Sequence, residues 1–218
     1  MIQLKNITKI YNETIALDNI NLQFNEGELI VLKGASGSGK STILSLIAGL
    51  TKPTSGEVIV DNKQISKLTD NFASLHRREN IGFIFQKYNL IANLSVKENI
   101  AVPLIPNNPD EKEFDKLLDA VMEKFHILHK KDNIVKNLSG GEQQRVAIAR
   151  ANINNPKIII ADEPTANLDE KLSLHFIEIL KTLKQSNKTI IVATHDPIFF
   201  NLDFVDKIVE IHNGNILI

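Results

Sequence analysis

Ile20, Leu22 and Phe24 alternate with Asn21, Gln23 and Asn25, the period-two pattern of a strand with one buried and one wet face. Glu26-Gly27-Glu28 then reads as a turn into Leu29-Ile30-Val31-Leu32, an unbroken apolar run suited to a strand covered on both sides. Ile158-Ile159-Ile160 and Thr189-Ile190-Ile191-Val192 are two more such runs. Pro53-Thr54-Ser55-Gly56 predicts a turn, with Val58 and Val60 at strand spacing beyond it. Helical spacing governs other stretches. Ile43, Leu44, Leu46, Ile47 and Leu50 form one apolar face; Phe114, Leu117, Leu118, Val121, Met122, Phe125 and Leu128 form a second. Leu172, Phe176, Leu180 and Leu183 form a third, between the last two strand runs. Pro103, Pro106 and Pro109 mark a loop ahead of the second face. The expected fold is therefore an α/β core, residues 1–86 and 156–218, interrupted by a helical insertion at about 87–155, all in one domain.

The composition narrows the partners more than the fold. Lys plus Arg number 25 against 26 Asp plus Glu, a formal net charge of -1, so no electrostatic case for nucleic acid arises and none is expected as a partner. The absence of cysteine excludes disulfides and thiolate metal sites and suits a cytoplasmic setting. Met1-Ile2-Gln3-Leu4-Lys5 lacks the apolar core of a signal peptide, and no run approaches the ~20 residues of a membrane span. Any membrane role is expected to come through another chain.

The sharpest chemical signal is Gly34-Ala35-Ser36-Gly37-Ser38-Gly39-Lys40-Ser41, followed by Thr42, which fits the phosphate-loop pattern G-x-x-x-x-G-K-S/T. It joins a strand run to a helical one, as that loop requires. Its glycines let backbone N–H groups close around phosphate oxygens, and a helix N-terminus adds partial positive charge. Lys40 is placed to reach the β- and γ-phosphates and Ser41 to bind Mg²⁺. A nucleoside triphosphate is the expected ligand.

The other two apolar runs also end in polar candidates, and in a parallel sheet the three ends share one edge. Asp162 follows Ile158-Ile159-Ile160-Ala161, where a carboxylate holds Mg²⁺ directly or through water. Glu163 is placed as the general base for water, and His195 as a contact to the γ-phosphate. Alone, either feature reads equally well as a solvated strand end or polar cap. In Leu138-Ser139-Gly140-Gly141-Glu142-Gln143-Gln144, Ser139 and Glu142 have capping-box spacing. This stretch is either an ordinary capped helix, continued by Val146, Ala149 and Ile153, or a second phosphate-seeking helix N-terminus.

Taken together, these motifs resemble those of ATP-binding subunits of ABC transporters, over essentially all of the chain. To those already quoted the resemblance adds Phe85-Gln86, Ala166-Asn167-Leu168-Asp169 and Ala193-Thr194-His195-Asp196. It implies the ABC ATPase fold, a phosphate-loop core with an N-terminal antiparallel β-subdomain and an inserted α-helical one. It implies ATP and Mg²⁺ as cofactors, with Gln86 contacting Mg²⁺ and the attacking water, His195 as the switch histidine, and Tyr11 stacking on adenine. Tyr11 reads otherwise as a strand-edge aromatic, and Asp169 as a cap for a helix starting near Glu170. It further implies a head-to-tail homodimer sandwiching two ATP molecules, each between one chain's phosphate loop and the other's Ser139, Gly140, Gly141, Glu142 and Asp169. A transmembrane permease subunit would dock near Gln86, holding the chain at the inner face of the membrane and using ATP hydrolysis for work. Ile81-Gly82-Phe83-Ile84-Phe85-Gln86 and Glu98-Asn99-Ile100-Ala101-Val102-Pro103-Leu104 resemble the macrolide-export, lipoprotein-release and cell-division branch. There, mechanical signalling to a periplasmic partner is as common as transport. With Ile218 as last residue, the C-terminal regulatory domain of many importer ATPases is not expected.

Two other classes fit less well. Soluble ABC ATPases acting on DNA or ribosomes resemble tandem nucleotide domains or one split by a coiled coil, whereas this sequence has one of each motif and no sustained heptads. A phosphate-loop kinase or switch GTPase leaves the Ser139 stretch unexplained.

Overall fold

The computed structural model describes residues 1–107, 110–166 and 168–217. Pro109 of the proline loop, Asn167 of the 166–169 motif and the terminal Ile218 lie outside the described residues. The chain opens with an antiparallel hairpin, β1 (Ile2–Tyr11) and β2 (Thr14–Phe24), and continues through β3 (Leu29–Lys33), α1 (Lys40–Ile47), β4 (Ser55–Val60), β5 (Lys63–Gln64), α2 (Asp70–Asn80) and β6 (Ile81–Ile84). Three helices follow, α3 (Val96–Ala101), α4 (Glu111–Lys124) and α5 (Gly140–Asn152). The last part runs β7 (Ile158–Asp162), α6 (Glu170–Gln185), β8 (Thr189–Thr194), β9 (Lys207–His212) and β10 (Asn215–Leu217).

Two sheets result, ordered β2-β1-β4-β5 and β10-β9-β3-β8-β7-β6. In the larger one β9, β3, β8, β7 and β6 are parallel neighbours. The unbroken apolar runs now have a cause, because both faces of this sheet are covered. Leu29, Val31, Ile159, Ile190 and Val192 face a core shared with Val146, Ile148, Phe176 and Leu180 from α5 and α6. Ile30, Leu32, Ile158, Ile160 and Ile191 face the opposite core, shared with Ile43 and Leu44 of α1 and with the antiparallel sheet. Full burial of each such side chain contributes roughly 1.5–3 kcal/mol. The alternating stretch in β2 buries Ile20, Leu22 and Phe24 as its pattern requires.

The edge strand β6 is approached closely by α5. A methyl group on Gly82 would lie 2.1 Å from the Ala151 carbonyl oxygen, so only glycine lets the helix backbone seat there.

The apolar spacing and the turn pattern each overreached. Leu50 lies beyond α1, which ends at Ile47 with Ala48 as its cap, and is 47% exposed. Leu117, inside the stripe of α4, is 42% exposed although Leu118, Val121, Met122 and Phe125 are buried. Ser55 and Gly56 open β4 instead of belonging to the turn. One helix was not foreseen, α2, because it buries only Ala73 and His76 while Phe72 and Leu75 face solvent; so narrow a buried stripe has little periodic signal.

Candidate functional site

The pairing of the central strands assembles the site. Lys33 is in register with Thr194, and Asp162 with Ala193, so the loop at Gly34, His195 and Glu163 leave the sheet side by side in the order β3, β8, β7. Ile84 pairs with Ala161, which sends Gln86 out from the same edge. This is where an open α/β sheet places its ligands.

The phosphate loop folds as its composition requires. Gly39 takes φ 109° as the residue before α1, a conformation costly for any side-chain-bearing residue. Lacking a side chain, it leaves the first N–H groups of α1 facing the loop. Gly37, Ser38, Gly39, Lys40, Ser41 and Thr42, with Ala16 from β2, line a hollow of about 130 Å³. The Lys40 ammonium is buried, held by the carbonyl oxygens of Gly34 (2.7 Å) and Ala35 (3.0 Å) and 3.4 Å from Glu163.

The two acids differ in environment. Asp162 accepts a hydrogen bond from the Ser41 hydroxyl at 3.0 Å. Burial pushes its carboxyl above the usual range and the neighbouring Glu163 charge adds to this, against the opposing pull of Ser41 and Lys40. Glu163 sits in a left-handed conformation at φ 45°, its N–H bonded to the Ala193 carbonyl of β8 at 2.8 Å. That strained turn carries its carboxylate to within 3.1 Å of His195 Nδ1. Glu163 is largely enclosed while His195 is mostly exposed, so the pair reaches from the sheet edge toward solvent. Lys40, Ser41, Asp162, Glu163 and His195 thus form one connected polar cluster. An ammonium, a hydroxyl beside a carboxylate, and a second carboxylate paired with imidazole can bind a polyphosphate, hold a hard cation and take up a proton.

The Ser139 segment is a capped helix and something more. Ser139 caps α5 and Glu142 completes the reciprocal box, with Glu142 Oε2 accepting from both the Ser139 N–H (2.9 Å) and its hydroxyl (2.8 Å). Lys130 places its ammonium 3.2 Å from the same carboxylate. These bonds hold the Glu142 carboxyl down at about 2, the Ser139 N–H and hydroxyl doing more than Lys130. Among the described residues, no hydrogen bond or ion pair joins this segment to the phosphate loop. Asp169 caps α6 through the Leu172 N–H at 2.8 Å, as the bland reading of it had it. Tyr11 ends β1 at the hairpin tip as a residue 45% exposed, with the Lys9 ammonium 4.7 Å from its ring centre.

Residues 17–166 match the family model described as ABC transporter. The chain belongs to the ABC transporter family. It is 42% identical to the uncharacterized ABC transporter ATP-binding protein MJ1508 of Methanocaldococcus jannaschii, over all of this chain and 98% of that one. It is 41% identical to the macrolide export ATP-binding/permease protein MacB of Campylobacter jejuni, of which it spans 34%. Its fold superposes with a TM-score of 0.91 and 40% identity on the dimeric post-hydrolysis structure of the ATP-binding cassette MJ0796 bound to ADP and Pi, covering 99% of this chain and 96% of that one.

For an ABC ATPase, the sequence reading still passed over several supports. Gly214, in the β9–β10 turn, donates its N–H to the Ser38 carbonyl at 2.9 Å and accepts from the Asp18 N–H at 3.0 Å, bracing the phosphate loop from behind. Thr165 donates to Asp196 at 2.7 Å and ties the loop after β7 to the one after β8. Gln144 of α5 donates to the Pro164 carbonyl at 2.9 Å, linking the Ser139 helix to the Glu163 turn. None carries a local pattern, since each partner is distant in sequence. A larger hollow of about 290 Å³, lined by Lys124, His126, His175 and Glu178, lies away from the strand ends; chemistry, not size, locates the site. No helix among the described residues is long and apolar enough to cross a membrane.

Proposed function

We propose that this chain is the ATP-hydrolysing subunit that energises a separate membrane-embedded permease, by closing head to tail with a second copy around two ATP molecules. The observation that supports this most is the convergence of Lys40, Ser41, Asp162, Glu163 and His195 at three adjacent strand ends. ATP is bound by the phosphate loop from Gly34 to Thr42, with Tyr11 stacking on adenine. Ser41, Asp162 and Gln86 form an all-oxygen donor set that suits Mg²⁺, which when bound offsets phosphate charge. Glu163 takes the proton from the attacking water, and His195, bonded to it, holds that carboxylate and reaches the γ-phosphate. Lys40 exchanges the Gly34 and Ala35 carbonyls for phosphate oxygens.

The Ser139, Gly140, Gly141 and Glu142 segment, with Asp169, serves the nucleotide of the other copy. This accounts for a glycine-rich helix start whose side-chain hydrogen bonds and ion pair, among the described residues, are those of its own cap and Lys130. Residues 1–86 and 156–218 act as the nucleotide-binding core and 87–155 as the helical insertion. The permease docks near Gln86 and holds the chain at the inner face of the membrane; the MacB likeness favours the export branch. The test is light scattering of Glu163→Gln with and without ATP–Mg²⁺. The reading expects an ATP-dependent dimer, with hydrolysis lowered roughly 10²–10⁴-fold. Hydrolysis at the wild-type rate would remove Glu163 from its role.

A further inference from the structure

The turn after Gln86 has a costly conformation, closed by the Tyr88 N–H on the Phe85 carbonyl at 2.9 Å and clamped from outside by a side chain of α5. Tyr88 and Asn89 both adopt left-handed backbone, φ 59° and 48°. Two successive residues with side chains rarely sit there unless surrounding contacts impose it. Arg150 supplies those contacts. Its guanidinium, on a half-buried residue, donates one N–H to the Tyr88 carbonyl at 2.5 Å and another to the Asn89 carbonyl at 2.6 Å. The planar fork meets the two carbonyls with two separate nitrogens, a geometry that the single nitrogen of a shorter lysine side chain does not reproduce at this site. Farther along, buried Asn99 fixes Ile91 by accepting its N–H at 2.8 Å and donating to its carbonyl at 3.1 Å, so the clamped turn is anchored beyond.

Arg150 lies in the last turn of α5, the helix that Ser139 caps, about 16 Å along its axis from that cap. It is also next to Ala151, whose carbonyl seats against Gly82 of β6. That close contact is a natural pivot, so rotation of α5 about it would displace the guanidinium and the two carbonyls together.

We propose that Arg150 is a positioning residue: it ties the helix bearing the Ser139 segment to the strained Tyr88-Asn89 turn, so that engagement of that segment with nucleotide sets the placement of Gln86. This rests on the proposed function above, and names the link between its two halves.

The experiment measures steady-state ATP hydrolysis of wild type, Arg150→Lys, and Arg150→Lys combined with Asn89→Gly. Glycine adopts the left-handed backbone without strain, so it supplies what the clamp supplies. Arg150→Lys is expected to lower kcat about tenfold or more while KM for ATP changes by less than about twofold, and Asn89→Gly to restore most of the loss. A folded Arg150→Lys with unchanged kcat overturns the proposal, as does a loss that Asn89→Gly leaves in place. An inactive wild type would overturn the ATPase reading instead. Should the lysine variants misfold, backbone amide exchange on wild-type protein decides. ATP–Mg²⁺ is expected to change protection at residues 87–91 and 139–142 together, and a change confined to 139–142 overturns the link.

Discussion

Ser41 donates its hydroxyl to Asp162 Oδ1 at 3.0 Å, joining the start of α1 to the end of β7 across 121 positions of sequence. The bond exists because β3 and β7 flank β8 in one parallel sheet. It places a half-buried carboxylate, partly stripped of water, where a cation can offset its charge.

From this follows a trade between stability and binding. Burial raises the Asp162 carboxyl above its unfolded value, so above that raised pKa the ionised group opposes folding, and only at lower pH does the opposition vanish. Asp162→Asn removes the charge and keeps an acceptor for Ser41. At pH 7 and without nucleotide, its thermal midpoint should equal or exceed that of wild type, while the rise caused by ATP–Mg²⁺ should be lost. Calorimetry with and without ATP–Mg²⁺ checks both halves. A variant less stable alone yet fully stabilised by ATP–Mg²⁺ would contradict them.

Glu142 gives the opposite sign. Its carboxyl, ordinarily near 4.5, is held at about 2 by the Ser139 N–H and hydroxyl and then by Lys130. Its stabilising contribution is complete above about pH 5 and is lost as pH falls through 4.5 toward 2. Glu142→Gln, which keeps an acceptor but cannot titrate, should lose stability less steeply over that interval. Urea midpoints at pH 7, 5, 4 and 3 follow the difference; parallel curves would mean that Ser139 and Lys130 do not hold this carboxylate in solution.

Gly82→Ala tests the seat of α5. The added methyl would meet the Ala151 carbonyl at 2.1 Å, and backbone on both sides leaves no flexible end to give way. A loss of roughly 1–3 kcal/mol or more is expected, about 2–4 °C in Tm for each kcal/mol in a chain of this size. Denaturant unfolding measures it, and an unchanged midpoint would mean that helix and strand part more easily than their packing implies.

How much of this could be read in the sequence depends on the range of each interaction. The phosphate loop, the capping box at Ser139 and the three buried strand runs are local patterns, and all appear where their spacing put them. The clustering of Lys40, Asp162, Glu163 and His195 was legible only by supposing the three runs to be parallel neighbours, which they are. The Arg150 clamp, the Gly214 brace and the Lys130 contact left no signal, because each joins a side chain or a backbone group to partners that no short motif contains. The polar helix α2 escaped for the converse reason: it buries too little to leave a periodic stripe.

Gly140→Ala separates the chain's own fold from what another copy demands. A methyl group built on Gly140 meets nothing within 4 Å, and the residue opens α5, where alanine is the better helix former by up to about 1 kcal/mol. Folding alone therefore predicts equal or slightly higher stability. If the segment closes on the nucleotide of a second copy, the methyl stands between its N–H groups and the phosphates. ATP hydrolysis should then fall by about a hundredfold, since displacements near 1 Å cost that much. In a Glu163→Gln background the ATP-dependent dimer seen by light scattering should weaken in step, while ATP binding to the monomer is kept. A stable Gly140→Ala protein that hydrolyses ATP at the wild-type rate would leave the Ser139 helix as a capped helix only, and the nucleotide would need another lid.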